Sequence, residues 1–250
     1  MDFLHKMEKI IKLQNKEHTF ITAICICRLN ENAFDISRID FLSREELEYY
    51  RGLKNRHNAC SFLTGRYAGK CAASQLTGNY NLKEYMIEKG ILNQPVFCCE
   101  EYKDLQVTIS HCNEYAVAIA FSQKLLLGVD IEEISLHKCE LIEHALLEQY
   151  KEQMEISCED RMSELIFIWS AQEAVSKCIK TGLTIPGYFF QLQKIEEKQG
   201  IFYGQYLHFR QFQSIAVRFK NYILTIAYPS NLSLHSGMED LSDILSIFNS

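Results

Sequence analysis

LLLGVDIEEI, residues 125–134, sets Asp130 and Glu132 two positions apart inside an apolar run. Aliphatic residues at this density read as a buried strand. On a strand, residues i and i+2 point to one face, so Val129 and Ile131 share one side and Asp130 and Glu132 share the other. The apolar pair suits a core. The acidic pair is either a solvated strand face or a site. Two like charges held close repel, and the remedies are a bound cation, a raised pKa or full solvation. If a cation is the remedy, few protein carboxylates with several retained waters is the habit of Mg²⁺.

Strand-like and helical segments alternate on both sides of this stretch. FITAICICRL (20–29) reads as a buried strand, and Ser43 with Glu46 fits the S-x-x-E capping box ahead of the helical REELEYYRGL (44–53). A second helix is expected over NACSFLTGRYAGKCAASQL (58–76), stopping at Thr77 and Gly78. VTISH (107–111) and YAVAIAF (115–121), separated by Cys-Asn-Glu, form a hairpin. In the second half, LIEHALLEQYKEQ (141–153) is helical, and a long helix is expected from Ser163 to Lys180. IAVRF (215–219) and YILTIAY (222–228) make another hairpin, turning at Lys220 and Asn221. GRYAGKC (65–71) weakly echoes QEAVSKC (172–178), with Arg66 opposite Glu173 and Lys70 opposite Lys177.

The expected fold is α+β, with two pseudo-symmetric α+β lobes in one chain and the active site at their interface. The lobes are placed at residues 1–122 and 123–229, followed by a tail at 230–250. Leu241, Ile244, Leu245 and Phe248 in that tail have the spacing of a short amphipathic helix that folds back on its own protein.

The 250 residues, 47% hydrophobic and 23% charged, have ordinary globular composition. A net charge of −6 gives no reason to expect nucleic acid or an anionic membrane as the main partner. The N-terminus has no apolar core of signal-peptide length and no run approaches a membrane span, so a cytoplasmic protein is expected. The ten cysteines are scattered, without a CxxC pair or a Cys/His cluster; they read as reduced core thiols and point to no zinc site.

A second constellation lies in FIWSAQEAVSKCIKTG (167–182). Glu173 and Lys177 are i and i+4 on a helix, the spacing of a common stabilising surface pair. The only tryptophan, Trp169, precedes them, and Ser170, Ala171 and Ala174 are small enough to admit either a bulky ligand or a closely packed element. His111, taken alone, is a hydrogen-bonded histidine at a strand end.

Together these residues resemble the 4′-phosphopantetheinyl transferases. Gly128-Val129-Asp130-Ile131-Glu132, then Trp169-Ser170-Ala171-Gln172-Glu173-Ala174 and Lys177, is similar to the family's GVDIE and WxxKEAxxK motifs, and Ser110-His111 to its third motif. Length and the two-lobed reading resemble the monomeric surfactin-synthetase-activating type, over roughly residues 20–230. The resemblance implies a transfer of the phosphopantetheine arm of coenzyme A to a serine of an apo acyl or peptidyl carrier protein, releasing 3′,5′-ADP. It implies Mg²⁺ on Asp130, Glu132 and Glu173, with Glu173 also a candidate base. Lys177 would stabilise or protonate the leaving phosphate, His111 would contact a coenzyme A phosphate, and Ser110 would help fix that loop.

The chain departs from the pattern in places. Gln172 stands for the motif lysine, Asn93-Gln94-Pro95 for a frequent Gly-Lys-Pro, and Glu46, Tyr49 and Ser61 for basic residues that grip the nucleotide's phosphates. Arg51, Lys54, Arg56, Arg66 and Lys70 lie in the same stretch as candidate substitutes, although each taken singly reads as a solvated helix charge. Two alternatives stay open: a non-catalytic carrier-binding member of the fold, and a transferase using another donor such as dephospho-coenzyme A.

Overall fold

The computed structural model describes residues 4–30, 39–149, 155–157 and 160–235. The chain is α+β and divides into two units, one of Met1–Lys12 and Phe20–Leu125, the other of Leu13–Thr19 and Leu126–Ser250. Among the described residues no helix is long and apolar enough to cross a membrane.

The first unit contains β1 (Leu4–Gln14), β2 (Thr19–Leu29), α1 (Arg44–Gly52), α2 (Arg56–Thr77), β3 (Met86–Lys89), β4 (Pro95–Cys98), β5 (Leu105–Cys112) and β6 (Tyr115–Ser122). Its main sheet contains the order β1-β2-β6-β5, and β3 and β4 form a separate small hairpin. The long helix α2 lies against β5 and β6. It can do so because Ala116, Ala118 and Ala120 present small side chains to the core it shares with Leu63, Ala68 and Cys71. The β5–β6 hairpin turns where expected, with Asn113 at φ 53°. Gly78 ends α2 at φ 74°, a backbone that glycine adopts without steric cost.

Ser43 opens α1 through the expected capping box: Glu46 N donates to Ser43 Oγ at 3.2 Å, and Ser43 N to Glu46 Oε2 at 2.9 Å. The same carboxylate also accepts from Ile87 N at 3.1 Å and pairs with Lys70, whose ammonium donates on to Phe41 O at 2.8 Å. Lys70 is therefore no solvated helix charge; it is 0% exposed, and one glutamate ties α1, α2 and β3 together through it. Arg66 is likewise drawn inward, 3.5 Å from Glu46 and stacked over Phe62 at 4.7 Å. Arg51, Lys54 and Arg56 are exposed, as read.

The second unit contains β7 (Gly128–Glu133), α3 (Leu136–Gln149), β8 (Glu155–Ser157), α4 (Arg161–Cys178), β9 (Leu192–Lys198), β10 (Ile201–Tyr206), β11 (Phe212–Phe219) and β12 (Tyr222–Pro229). The sheet runs β7-β12-β11-β10-β9-β8, antiparallel except for the short β8–β9 pair. Helix α4 lies on β7, β12 and β11, and α3 packs on α4. Ala171, Ala174 and Val175 share a core with Phe202, Phe212, Ile223 and Ala227.

Several boundaries differ from expectation. Leu125 N closes a turn onto Ser122 O at 2.9 Å, so the strand starts at Gly128 rather than at Leu125. Helix α3 starts at Leu136, ahead of the expected Leu141. Asp160 caps α4 by accepting from Met162 N and Ser163 N, so that helix begins at Arg161. The end of the expected 141–153 helix and the amphipathic segment around Leu241, Ile244, Leu245 and Phe248 lie outside the described residues.

The small residues around Trp169 have a packing explanation. A Cβ on Gly128 would lie 1.8 Å from the carbonyl oxygen of Ala174 and 2.9 Å from the amide of Cys178, both backbone atoms of α4. Strand and helix backbones touch here, and glycine is what permits it. Gly128→Ala is expected to destabilise the protein by about 3 kcal/mol, at the top of the usual range for overpacking, because neither backbone atom can rotate away. Denaturant unfolding measures it; a loss under about 1 kcal/mol would show that α4 is not pinned to β7.

Candidate active site

The contact at Gly128 fixes how β7 faces α4. Val129 and Ile131 are buried, as the strand pattern requires, but Asp130 is buried too, with 3% of its surface exposed. The solvated-face reading of the acidic pair therefore fails. Lys177, reaching down from the last turn of α4, donates to Asp130 Oδ1 at 2.7 Å and to Val129 O at 3.1 Å. The i,i+4 spacing in α4 suggested a surface pair with Glu173, whereas the lysine is turned to the strand beneath it. A buried carboxylate needs such a partner, since an isolated charge in a low-dielectric interior is strongly disfavoured.

Glu132 is half-buried and held from two directions. Lys138 of α3 forms an ion pair with Oε2, and Trp169 Nε1 donates to Oε1 at 3.2 Å. Burial and then the nearby Asp130 push its pKa up, while Lys138 and the tryptophan pull it back. Lys138 was not singled out from the sequence. Its one signal was proximity, six residues beyond Glu132, with Gln172 in place of a motif lysine leaving a carboxylate to be balanced from elsewhere. Gln172 is itself buried.

Glu173 lies one helical turn before Lys177. Burial first, then the charge of Asp130, raise its pKa to about 7, with a further push from Glu132 and a pull back from Lys177 and Lys138. Asp130, Glu132 and Glu173 thus form one electrostatically linked carboxylate set, interleaved with two ammonium groups. With both lysines in place, the ligating oxygens of the three acids do not all close to within 4.8 Å of one another. As a donor set, three hard oxygen ligands at a concentrated negative charge fit a divalent cation of the magnesium class.

Ser110 and His111 end β5 in the first unit, where Ser110 is buried and His111 exposed. His111 lines a cleft of about 420 Å³ together with His57, Arg66 and Lys89. Tyr49, Phe62 and Pro95 supply apolar walls. Lys89 Nζ donates to Tyr49 Oη at 3.2 Å. Tyr49 and Ser61, two of the positions that departed from the basic pattern, line this cleft. Glu46 belongs to the internal network with Lys70, and the Gln94 side chain accepts from Leu92 N within its own turn, at 2.9 Å. Arg66 and Lys89 bring positive charge to the cleft from other positions, beside the acidic Glu88. Arg66 is one of the cations the sequence offers as a substitute, whereas Lys89 gives no sequence signal, since α2 and β3 meet only in the fold.

Residues 126–227 match the family model described as ACPS, the 4′-phosphopantetheinyl transferase superfamily. That stretch holds Asp130, Glu132, Lys138, Trp169, Glu173 and Lys177. Among solved structures the chain is similar to a holo-(acyl-carrier-protein) synthase from Bacillus anthracis str. Ames, crystallised in complex with CoA (3′,5′-ADP). Identity is 23% with a TM-score of 0.37, over 46% of this chain and 97% of that one. No curated protein matches the chain.

A carboxyl whose folded pKa lies above its unfolded value stabilises the fold at low pH and loses that contribution as pH rises. For Glu173 the window runs from its ordinary 4.5 up to about 7. Replacing it by glutamine removes the penalty, so without divalent cations Glu173→Gln should gain on the parent protein by up to about 3 kcal/mol between pH 5 and pH 8. Urea unfolding across that range checks it; curves that stay parallel would contradict the burial of Glu173 beside Asp130.

Proposed function

We propose that the protein transfers the 4′-phosphopantetheine arm of coenzyme A to a serine hydroxyl of an apo acyl or peptidyl carrier protein, releasing 3′,5′-ADP. The observation that supports this most is the interleaving of Asp130, Glu132 and Glu173 with Lys177 on a strand and helix in backbone contact, inside the stretch that matches the superfamily. His111 adds a phosphate-binding candidate in a cleft that also holds Arg66 and Lys89.

The chemistry assigned to each side chain follows from its surroundings. Glu173 is the group that would take the proton of the attacking serine; its pKa of about 7 belongs to the cation-free site, and a bound cation would lower it. The serine oxygen then bonds to the phosphorus that carries the pantetheine arm, and the bond from that phosphorus to the bridging oxygen of the pyrophosphate breaks. Lys177 supplies a hydrogen bond or proton to the departing phosphate oxygen, which requires its ammonium to exchange Asp130 for the substrate. Asp130, Glu132 and Glu173 would hold Mg²⁺, which when bound supplies charge neutralisation and alignment of the pyrophosphate oxygens. Trp169 and Lys138 fix the orientation of Glu132, so that this carboxylate does not have to be ordered when the substrate arrives.

Loss of phosphate-gripping cations at positions 46, 49 and 61, offset by Arg66 and Lys89, should appear as altered donor binding rather than as loss of the chemical step. The test incubates the full chain with Mg²⁺, labelled coenzyme A and a panel of apo carrier proteins. Label should appear on a carrier serine, and Asp130→Ala and Glu173→Ala should each lower the rate by at least about 100-fold. Absence of label on every carrier, with a known transferase active alongside, contradicts the reading, and carrier binding unaffected by both substitutions identifies a non-catalytic member instead. Equal or faster labelling from dephospho-coenzyme A would reassign the donor.

A further inference from the structure

We propose that Glu8, Cys25 and Cys71 form a binding site for a thiophilic divalent cation of the zinc class, separate from the carboxylate set on β7 and α4. The three residues come from three elements of the first unit: Glu8 from β1, Cys25 from β2 and Cys71 from α2. Their ligating atoms all lie within 4.8 Å of one another, and among the described residues no other group of three or more His, Cys, Asp or Glu is so gathered. Spacing along the chain offers no sign of it, because the three positions are 17 and 46 residues apart and meet only when α2 lies on the sheet.

The surroundings suit a cation. Both thiols are fully buried, while the Glu8 side chain keeps 17% of its surface exposed and marks the entrance. A positive group already stands at the cluster: Lys6 Nζ is 2.9 Å from Glu8 Oε1 and 3.7 Å from Cys71 Sγ. That ammonium sits on a flexible stem with 35% of its side chain exposed, so it can leave for water when a metal enters. Gln75 Nε2 donates to Glu8 Oε2 at 3.2 Å and holds the carboxylate in place as outer-shell groups do. Tetrahedral zinc–thiolate geometry, with bonds of about 2.3 Å, needs ligand atoms about 3.7 Å apart, so the cluster has to contract by about 1 Å at most. Two thiolates exclude Mg²⁺ and Ca²⁺ in favour of a softer ion. Binding releases the thiol protons to solvent and displaces Lys6; the fourth position is filled by water from the Glu8 side.

The test uses the reduced, chelator-treated full chain. Titration with Zn²⁺ should show one equivalent per chain that remains in the Asp130→Ala/Glu173→Ala variant, and Co²⁺ in its place should give a thiolate-to-cobalt charge-transfer band of the strength of two thiolates. Cys71→Ser and Glu8→Gln should weaken binding, the former by at least about 100-fold. Lys6→Ala should tighten it by about three- to tenfold, because no ammonium has to be displaced. This last result also covers the case in which a buried cysteine variant fails to fold, since Lys6 is on the surface. The proposal is overturned if Co²⁺ gives no charge-transfer band, if Lys6→Ala leaves affinity unchanged, or if binding disappears in Cys98→Ser/Cys99→Ser, which would assign the metal to the adjacent thiols of β4 and its flank.

Discussion

Backbone contact between β7 and α4 at Gly128 is the constraint on which the second unit depends. The Ala174 carbonyl occupies the space where any other residue at position 128 would put its Cβ. Everything that follows is set by this separation. Asp130, two residues along the strand, falls beneath the last turn of the helix and within 2.7 Å of Lys177. Glu173, one turn back, is close enough to Asp130 for the two charges to oppose each other. A strand held farther from the helix would leave Glu173 more solvated and relieve it of the neighbouring charge that helps raise its pKa. The closeness is achieved with small residues, Gly128, Ser170, Ala171 and Ala174, rather than with special polar contacts.

A parallel arrangement occurs in the first unit. Gly65 and Gly69 of α2 let Ile109 and Ile87 come close, and Lys70 one residue on is buried against Glu46. Position 70 was aligned with position 177 on seven residues of sequence, and each carries a lysine turned inward from a long helix to a carboxylate on another element. The two differ in access. Lys70 is wholly enclosed and bonded to Phe41 O and Glu46, so its work is to hold three elements together. Lys177 keeps a quarter of its side chain exposed, which leaves its ammonium able to exchange one anionic partner for another.

Local chemistry was legible and long-range pairing was not. The capping box at Ser43 and Glu46, the stop at Gly78 and the two hairpins depend on residues within a few positions of each other, and all are present. Strand β1, LHKMEKIIKLQ, gives a poor sequence signal because its Lys and Glu residues are weak strand formers and interrupt the apolar alternation. Strands β9 and β10 are similarly diluted by polar residues and by Gly204, whose missing Cβ makes room for Ser214. The carboxylates were legible as motif positions, but the partner each takes was not. Lys177 was paired with Glu173 by helical spacing, and Lys70 was left in solvent, because Asp130 and Glu46 lie 47 and 24 residues away along the chain. Lys89 gives no sign of its place in the cleft for the same reason.

The central claim is that the acids of β7 and α4 serve as one cation-binding set for a pyrophosphate donor. Crystals of the full chain grown with Mn²⁺ and coenzyme A, recorded for anomalous scattering, test it most directly. The account predicts one strong peak bonded to carboxylate oxygens of Asp130, Glu132 and Glu173 and to the pyrophosphate. Coenzyme A bound with no peak at these residues, and Lys177 still on Asp130, would contradict it.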